Sequence, residues 1–342
     1  MKIDGREIGP DADPLFIAEI GINHGGDLEL AKWLSTVAIT AGARVIKHQT
    51  HVVDDEMTDA AKMIAPGNAT QSIYEIMADC ALDETEERAL KVHVEDHKAT
   101  FISTPFSRAA ADRLERMNVA AYKIGSGECN NLPLVRHVAD FGKPMIVSTG
   151  MNDMAAIAET VEVMQAAGVD FALMHCVNAY PTPYSAVRLD CITEMIEAFP
   201  GVPIGISDHT PTIWTAVAAV ALGACIIEKH VTDVTDRAGP DVSFSLTPAQ
   251  IFELITASRA VRQSRGGGKG MASCEEVTAR FAFATVVTTQ AVAKGEELTR
   301  HNIWVKRPGV GDFPAKSYDL ALGSYAAEAL PAGHHLMKVD LA

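Results

Sequence analysis

The chain has 342 residues, which at ~150 residues per domain makes two domains, or one large domain with an appendage. Apolar residues make up 48% and charged residues 21%, ordinary globular proportions that exclude collagen, a coiled coil and wholesale disorder. The 44 acidic against 29 basic residues give a net charge of -15, which excludes a broad basic surface for nucleic acid or anionic lipid but not a few placed cations around a small anion.

The first residues, MKIDGREIGPDADP, hold no apolar segment of a secretory signal. The longest nearly apolar run, Trp214 to Ile227, contains Gly223 and falls short of the ~18 residues a membrane span needs, so a soluble chain is expected. Six cysteines (Cys80, Cys129, Cys176, Cys191, Cys225, Cys274) form no CxxC pair and fit buried thiols of a reducing cytoplasm better than disulfides or zinc. Asn68-Ala69-Thr70 matches a glycosylation acceptor and, without a secretory route, is read as chance.

From Leu15 to Val231, eight short apolar runs alternate with longer amphipathic stretches. The runs are Leu15–Gly21, Arg44–Thr50, Thr100–Phe106, Ala121–Ser126, Pro144–Gly150, Phe171–Val177, Val202–Asp208 and Cys225–Val231. Each is rich in Ile, Val, Phe or Met and follows a turn-forming residue, the pattern of a parallel strand buried on both faces. Helical patterns cover Leu28–Thr40, Glu84–His97, Ala109–Met117, Ala155–Ala167, Ile213–Leu222 and Pro248–Gln263. Eight strand–helix units over ~250 residues predict a (β/α)8 barrel; an open doubly wound sheet, the alternative, usually stops at about five to seven strands.

The glycine cluster Arg265-Gly-Gly-Gly-Lys-Gly270 follows no strand and has no Ser or Thr after its Lys, so it reads as a linker and not a phosphate loop. Beyond it lie β-rich runs at Phe283–Thr288 and Asn302–Lys306, separated by turn signals. The predicted organisation is a catalytic barrel over 1–264, a linker over 265–280 and a small β-rich domain over 281–342. Fully extended, residues 264–280 would span ~55–60 Å, so the small domain need not pack on its own barrel.

A barrel builds its active site at the C-terminal ends of its strands. The predicted strands end in Glu19, Lys47-His48-Gln49, Ser103-Thr104, Lys123 with Gly125-Ser126-Gly127, Ser148-Thr149-Gly150, His175 with Asn178, Ser207-Asp208-His209 and Glu228-Lys229-His230. Because side chains i and i+2 share a face, Lys47 points with Gln49, Ser207 with His209, and Glu228 with His230, while His48 and Lys229 face away. Two histidines at matched heights on neighbouring strands can reach one divalent ion, and imidazole suits Mn, Fe, Co or Zn. His24, His48, His51, His93, His97, His137, His301, His334 and His335 read as ordinary structural or surface histidines. Lys47 and Lys123 could each be a Schiff-base nucleophile or a fixed cation; with hydroxyls and glycines on flanking strands they describe an anion cradle better than a lone amine.

These residues carry a family resemblance. The segments Ala18-Glu-Ile-Gly-Ile-Asn-His-Gly25, Val45-Ile-Lys-His-Gln-Thr50, Phe101-Ile-Ser-Thr-Pro-Phe106, Tyr122-Lys-Ile-Gly-Ser-Gly-Glu128, Pro144-Met-Ile-Val-Ser-Thr-Gly-Met151, Gly205-Ile-Ser-Asp-His209 and Glu228-Lys-His230 resemble the bacterial sialic acid synthases, the phosphoenolpyruvate-dependent N-acetylneuraminate synthases. Lys306-Arg-Pro-Gly309 and Leu322-Gly323 resemble the antifreeze-like (SAF) domain those enzymes carry. The resemblance implies condensation of phosphoenolpyruvate with open-chain N-acetylmannosamine and water, releasing phosphate; a diacetamido sugar leading to legionaminic or pseudaminic acid is the alternative. It implies that His209 and His230 hold a divalent metal, Mn2+ first with Mg2+ or Co2+ as alternatives. Thr104, Lys123, Ser126, Ser148, Asn178 and Ser207 would hold phosphoenolpyruvate; Lys47, Gln49, Tyr180 and Asp241 would hold the sugar. Glu19 and Glu228 are the candidate catalytic carboxylates, and a domain-swapped cytoplasmic homodimer would let Arg307 reach the partner's site. Lys47, Lys123, Arg307 and the metal histidines are expected to form a local positive pocket inside an acidic shell.

Overall fold

The computed structural model describes residues 1–66, 70–237, 239 and 241–342; Asn68 and Ala69 of the acceptor triplet lie outside the described residues. The chain divides into two compact units, Met1–Arg265 and Gly266–Ala342.

In the first unit, eight parallel strands close into a barrel: β1 (Leu15–Glu19), β2 (Val45–Thr50), β3 (Thr100–Pro105), β4 (Tyr122–Ile124), β5 (Met145–Ser148), β6 (Phe171–Cys176), β7 (Ile204–Ser207) and β8 (Ile226–His230), with β8 pairing back onto β1. The order follows the chain, as a βα repeat with right-handed crossovers requires. Helices α1 (Leu28–Thr40), α2 (Glu84–Asp96), α3 (Arg108–Arg116), α4 (Leu132–Ala139), α5 (Met154–Ala167), α6 (Asp190–Ala198), α7 (Trp214–Leu222) and α8 (Pro248–Gln263) follow the strands in turn.

Local chemistry sets the helix starts. Asp27 accepts from the Glu29 and Leu30 amides, Asp83 and Glu86 form a capping box, and Ser107 and Asp153 cap α3 and α5. The strand and helix expectations hold, and further helices are present, among them α4, α6, Val53–Glu56, Ile73–Cys80 and Tyr184–Val187. Both α4 and α6 are only eight or nine residues long, and Asn131 caps α4 by accepting from the Leu134 amide. A two-stranded hairpin, Lys2–Ile3 with Arg6–Glu7, also precedes the barrel.

Two apolar layers result. Outward-facing strand residues pack with Ala31, Leu34, Leu90, Leu114, Val135 and Ala216 of the helices. Inside the barrel, Leu15, Ile17, Val45, Ile102, Ile146, Ala172, Met174 and Ile226 form a second cluster that includes Ile3 and Ile8 of the hairpin segment. These residues share parity with the polar ones: Ile17 with Glu19, Val45 with Lys47 and Gln49, Ile102 with Thr104, Ile146 with Ser148, Ile226 with Glu228 and His230. One face of each strand is thus apolar at its start and polar at its end.

In the second unit, β9 (Thr285–Thr288) pairs antiparallel with β10 (Ile303–Lys306) over a core of Val286, Val292, Leu298, Ile303, Ala326, Leu330 and Leu336. The segment expected to be a linker is partly helical. Residues Ser273–Glu275 form a 3-10 turn and Glu276–Ala282 a helix (α9), so its reach is shorter than full extension because a helix rises only ~1.5 Å per residue. Among the described residues no helix is long and apolar enough to cross a membrane.

Gly205 shows how little room the barrel leaves. A Cβ there would lie 2.6 Å from the Ile226 carbonyl oxygen on the paired strand β8. Gly205→Ala is expected to destabilise the protein by about 2 kcal/mol or more, read as a lower denaturation midpoint. An unchanged midpoint would mean that the strands separate without strain.

Candidate active site

The polar strand ends meet in a cavity of about 130 Å3. Lining it are Lys47, Gln49, Thr104, Lys123, Ser126, Ser148, Asn178, Tyr180, Ser207, His209, Glu228 and His230, twelve residues singled out in the sequence, together with Phe106, Gly125, Gly127 and Cys176. The barrel register explains the gathering: Glu19 lies level with Lys47 and with His230, Gln49 with Thr104, and Ser207 with Glu228.

Two lysines and two carboxylates form the buried floor. Lys47 Nζ contacts Glu19 Oε2, lies 3.3 Å from Thr104 Oγ1 and 3.6 Å from Glu228 Oε1. Lys123 Nζ donates to Ser148 Oγ at 2.6 Å and lies 3.7 Å from the same Glu228 oxygen. Burial brings the Lys47 pKa down to about 8, with Glu228 opposing the shift. For Glu228 burial acts upward, but Lys123 and Lys47 outweigh it and hold its pKa below the ordinary carboxylate value. Within the floor the four charges pair, because a buried cation without a partner would be far costlier than a pair.

Beside this floor is a cradle of hydroxyls and amides. The Gly150 amide donates to Ser126 Oγ at 3.1 Å. Asn152 Nδ2 donates to the carbonyls of Ser126 (2.9 Å) and Gly150 (2.7 Å), tying together the loops after β4 and β5. A Cβ on Gly150 would lie 2.0 Å from Asn178 Oδ1 and 2.9 Å from Ser126 Oγ, so a larger residue there would displace two side chains of the cradle.

His209 and His230 face the cavity with ring centroids 5.5 Å apart, backed by Phe244. His209 Nδ1 lies 2.9 Å from the Val177 carbonyl, which fixes the proton there and leaves Nε2 with its lone pair. Burial brings the His209 pKa down to about 4; burial and His209 hold His230 well below its ordinary value. Both rings are neutral at pH 7, the form that binds metal. His230 Nδ1 and Glu228 Oε2 are buried with no hydrogen-bond partner, and Asp241 Oδ2 lies 3.3 Å from that nitrogen. These donors fit a divalent metal. Among the described residues no group of three His, Cys, Asp or Glu converges on one ion position, so water and substrate would complete the sphere.

Of the residues of the first unit singled out in the sequence as site residues, Glu19 and Asp241 are not on the cavity wall. Glu19 is fully buried behind Lys47, with Oε1 accepting the Gly21 amide. Asp241 lies at the edge beside His230, its pKa pushed up to about 6 by burial against the opposing Lys47. Arg307 belongs to the second unit and directly follows β10. The outward residues behave as parity requires: His48 Nδ1 meets Glu87 Oε1 at 3.0 Å, and Lys229 Nζ bonds Asp208 Oδ2 at 3.1 Å. The sequence reading missed Phe106, Cys176 and Asn152. Asn152 stands just after the Ser148-Thr149-Gly150 strand end, a position that could have flagged it.

The chain matches the family model described as NeuB family over residues 34–270 and that of the SAF domain over 283–342, so it belongs to the NeuB family of sialic acid synthase enzymes. The N,N'-diacetyllegionaminic acid synthase of Campylobacter jejuni is 34% identical over 322 residues, covering 92% of this chain and 96% of that one. Human N-acetylneuraminate-9-phosphate synthase is 31% identical over 307 residues, covering 88% and 85%. A crystal structure of N-acetylneuraminic acid synthetase from Leptospira borgpetersenii in complex with citrate superposes with a TM-score of 0.75 at 28% identity, covering 81% of this chain and 94% of that one.

With a pKa of about 8, Lys47 carries its charge below that pH and loses it above. Lysine side-chain nuclear magnetic resonance is therefore expected to show one amine that titrates between pH 7 and 9 and is lost in Lys47→Met. A Lys47 signal that stays charged through pH 9 would mean that its carboxylate partners outweigh burial.

Proposed function

We propose that the protein is an N-acetylneuraminate synthase, condensing phosphoenolpyruvate with open-chain N-acetylmannosamine and water to give N-acetylneuraminic acid and phosphate. The observation that carries this reading is the single cavity in which the Lys123–Ser126–Ser148 cradle faces two neutral histidines. Lys123, with Thr104, Ser126, Ser148, Asn178 and Ser207, binds phosphoenolpyruvate and turns its methylene toward the sugar. Lys47, Gln49, Tyr180 and Asp241 hold the sugar. A divalent metal on His209 and His230, Mn2+ first with Mg2+ or Co2+ as alternatives, supplies Lewis-acid polarisation of the aldehyde when bound. The methylene carbon attacks the aldehyde carbon, water adds to the resulting oxocarbenium carbon, and C–O cleavage expels phosphate.

Of the two carboxylates, Glu228 faces the cavity with one oxygen unpartnered, which suits proton transfer. Glu19 faces Lys47 and the Gly21 amide, which suits holding Lys47 in place. In this reading the enzyme is a cytoplasmic domain-swapped homodimer, and Arg307 of one copy serves the sugar's N-acetyl group in the other.

The C. jejuni relative, matched over 92% of this chain, favours a second reading of the same chemistry. There the sugar is the diacetamido precursor of legionaminic acid, with pseudaminic acid's precursor as its isomeric counterpart.

Purified protein with Mn2+ and both substrates is expected to release phosphate, and EDTA to abolish it. Silence across a panel of N-acetylated sugars would end the proposal, and the ranking of kcat/KM across the panel chooses the sugar. His209→Ala and His230→Ala should each lower kcat by about 100-fold or more and weaken Mn2+ binding measured by electron paramagnetic resonance. Arg307→Ala should raise the sugar KM while leaving Mn2+ affinity intact; an unaltered KM would exclude it from the site.

A further inference from the structure

Gln49 reaches the cavity from β2, and its side chain is held from behind. His51 Nε2 lies 3.4 Å from Gln49 Oε1, and His51 Nδ1 lies 2.8 Å from Glu56 Oε2. The ring is buried and stacks on Phe106, with centroids 4.6 Å apart and planes 9° from parallel. Phe106 itself lines the cavity, so the stack fixes the ring against the site wall. Glu56 ends the short helix Val53–Glu56 just after β2, and its side chain is only 9% exposed. Among the described residues His51 is the one hydrogen-bonding partner of the Gln49 side chain.

A glutamine amide has an acceptor oxygen at one end and a two-proton donor at the other, and a free one can present either. Glu56, an acceptor, takes the hydrogen bond from Nδ1–H and fixes the ring's tautomer, so Nε2 offers the Gln49 amide one fixed hydrogen-bonding role and the contact admits one amide orientation. We propose that Glu56 and His51 are positioning residues that hold the Gln49 amide in one of its two orientations, so that it presents a single fixed hydrogen-bonding end to the sugar. This rests on the synthase reading above. A sugar without a complementary group at that point would leave that end unpaired, which is how a site rejects the wrong substrate.

His51→Phe keeps the stack on Phe106 and removes both ring nitrogens. In the full-length enzyme with Mn2+, phosphoenolpyruvate and N-acetylmannosamine, it is expected to raise the sugar KM about 5- to 10-fold, the worth of one oriented hydrogen bond, with the phosphoenolpyruvate KM unmoved. In a Gln49→Ala background it should add nothing further. Equal increases in both backgrounds, or no increase in the wild-type background, would overturn the relay while leaving the synthase reaction standing. A second measurement needs no substrate. The 15N-resolved side-chain amide signal of Gln49, assigned by its loss in Gln49→Ala, should shift in Glu56→Ala, since Glu56 bonds His51 and not Gln49. An unmoved signal overturns the relay whether or not the enzyme turns over the sugar.

Discussion

Every strand of a closed barrel gives the interior only alternate side chains, and in this protein that single parity has to serve two opposite purposes. At the start of the strands the inward positions are Leu15, Ile17, Val45, Ile102, Ile146 and Ile226, which exclude water from the barrel's lower half. Two residues further along, the same face offers Glu19, Lys47, Thr104, Ser148 and Glu228. The change from apolar to charged within one residue pair per strand is what creates a dry-floored, polar-walled cavity. Moving any strand by one residue would send its functional side chain into the helix layer.

Placing charges on such a floor has a consequence for the electrostatics. Lys47 and Lys123 are buried, and each lies within 4 Å of a carboxylate, so the site carries little net charge of its own. An anionic substrate would then be met by directional donors, the hydroxyls and amides around Ser126, Ser148 and Gly150, more than by a diffuse field. An acidic chain is compatible with anion binding at such a site: the overall charge of -15 acts at long range and is screened, while the cradle would act at contact distance.

The outward parity contributes in a different way. His48 joins Glu87 on α2, and Lys229 joins Asp208 across β7 and β8 while bonding the Thr210 and Thr212 carbonyls. These groups flank Lys47, His209 and His230 in sequence and fix the strands from behind. The precision of the cavity thus comes from polar contacts that never face it.

Local information in the sequence determined the eight strands, most of the helices, the polar strand ends and the face on which each residue lies, because periods of 2 and 3.6 are properties of neighbouring residues. The pairing of His209 with His230 was legible for the same reason, parity plus adjacency of consecutive strands. Closure decided the rest. Nothing near Lys47 in the chain announces Glu228 as a partner of Lys47, since the two come together only when β8 returns to β1. The pairing of charge in the floor, the clamp made by Asn152, the orphaned atoms of His230 and Glu228, and the withdrawal of Glu19 behind Lys47 all arise from contacts between different strands and their loops. Burial and partner geometry set ionisation and orientation, and those exist only once the barrel has closed.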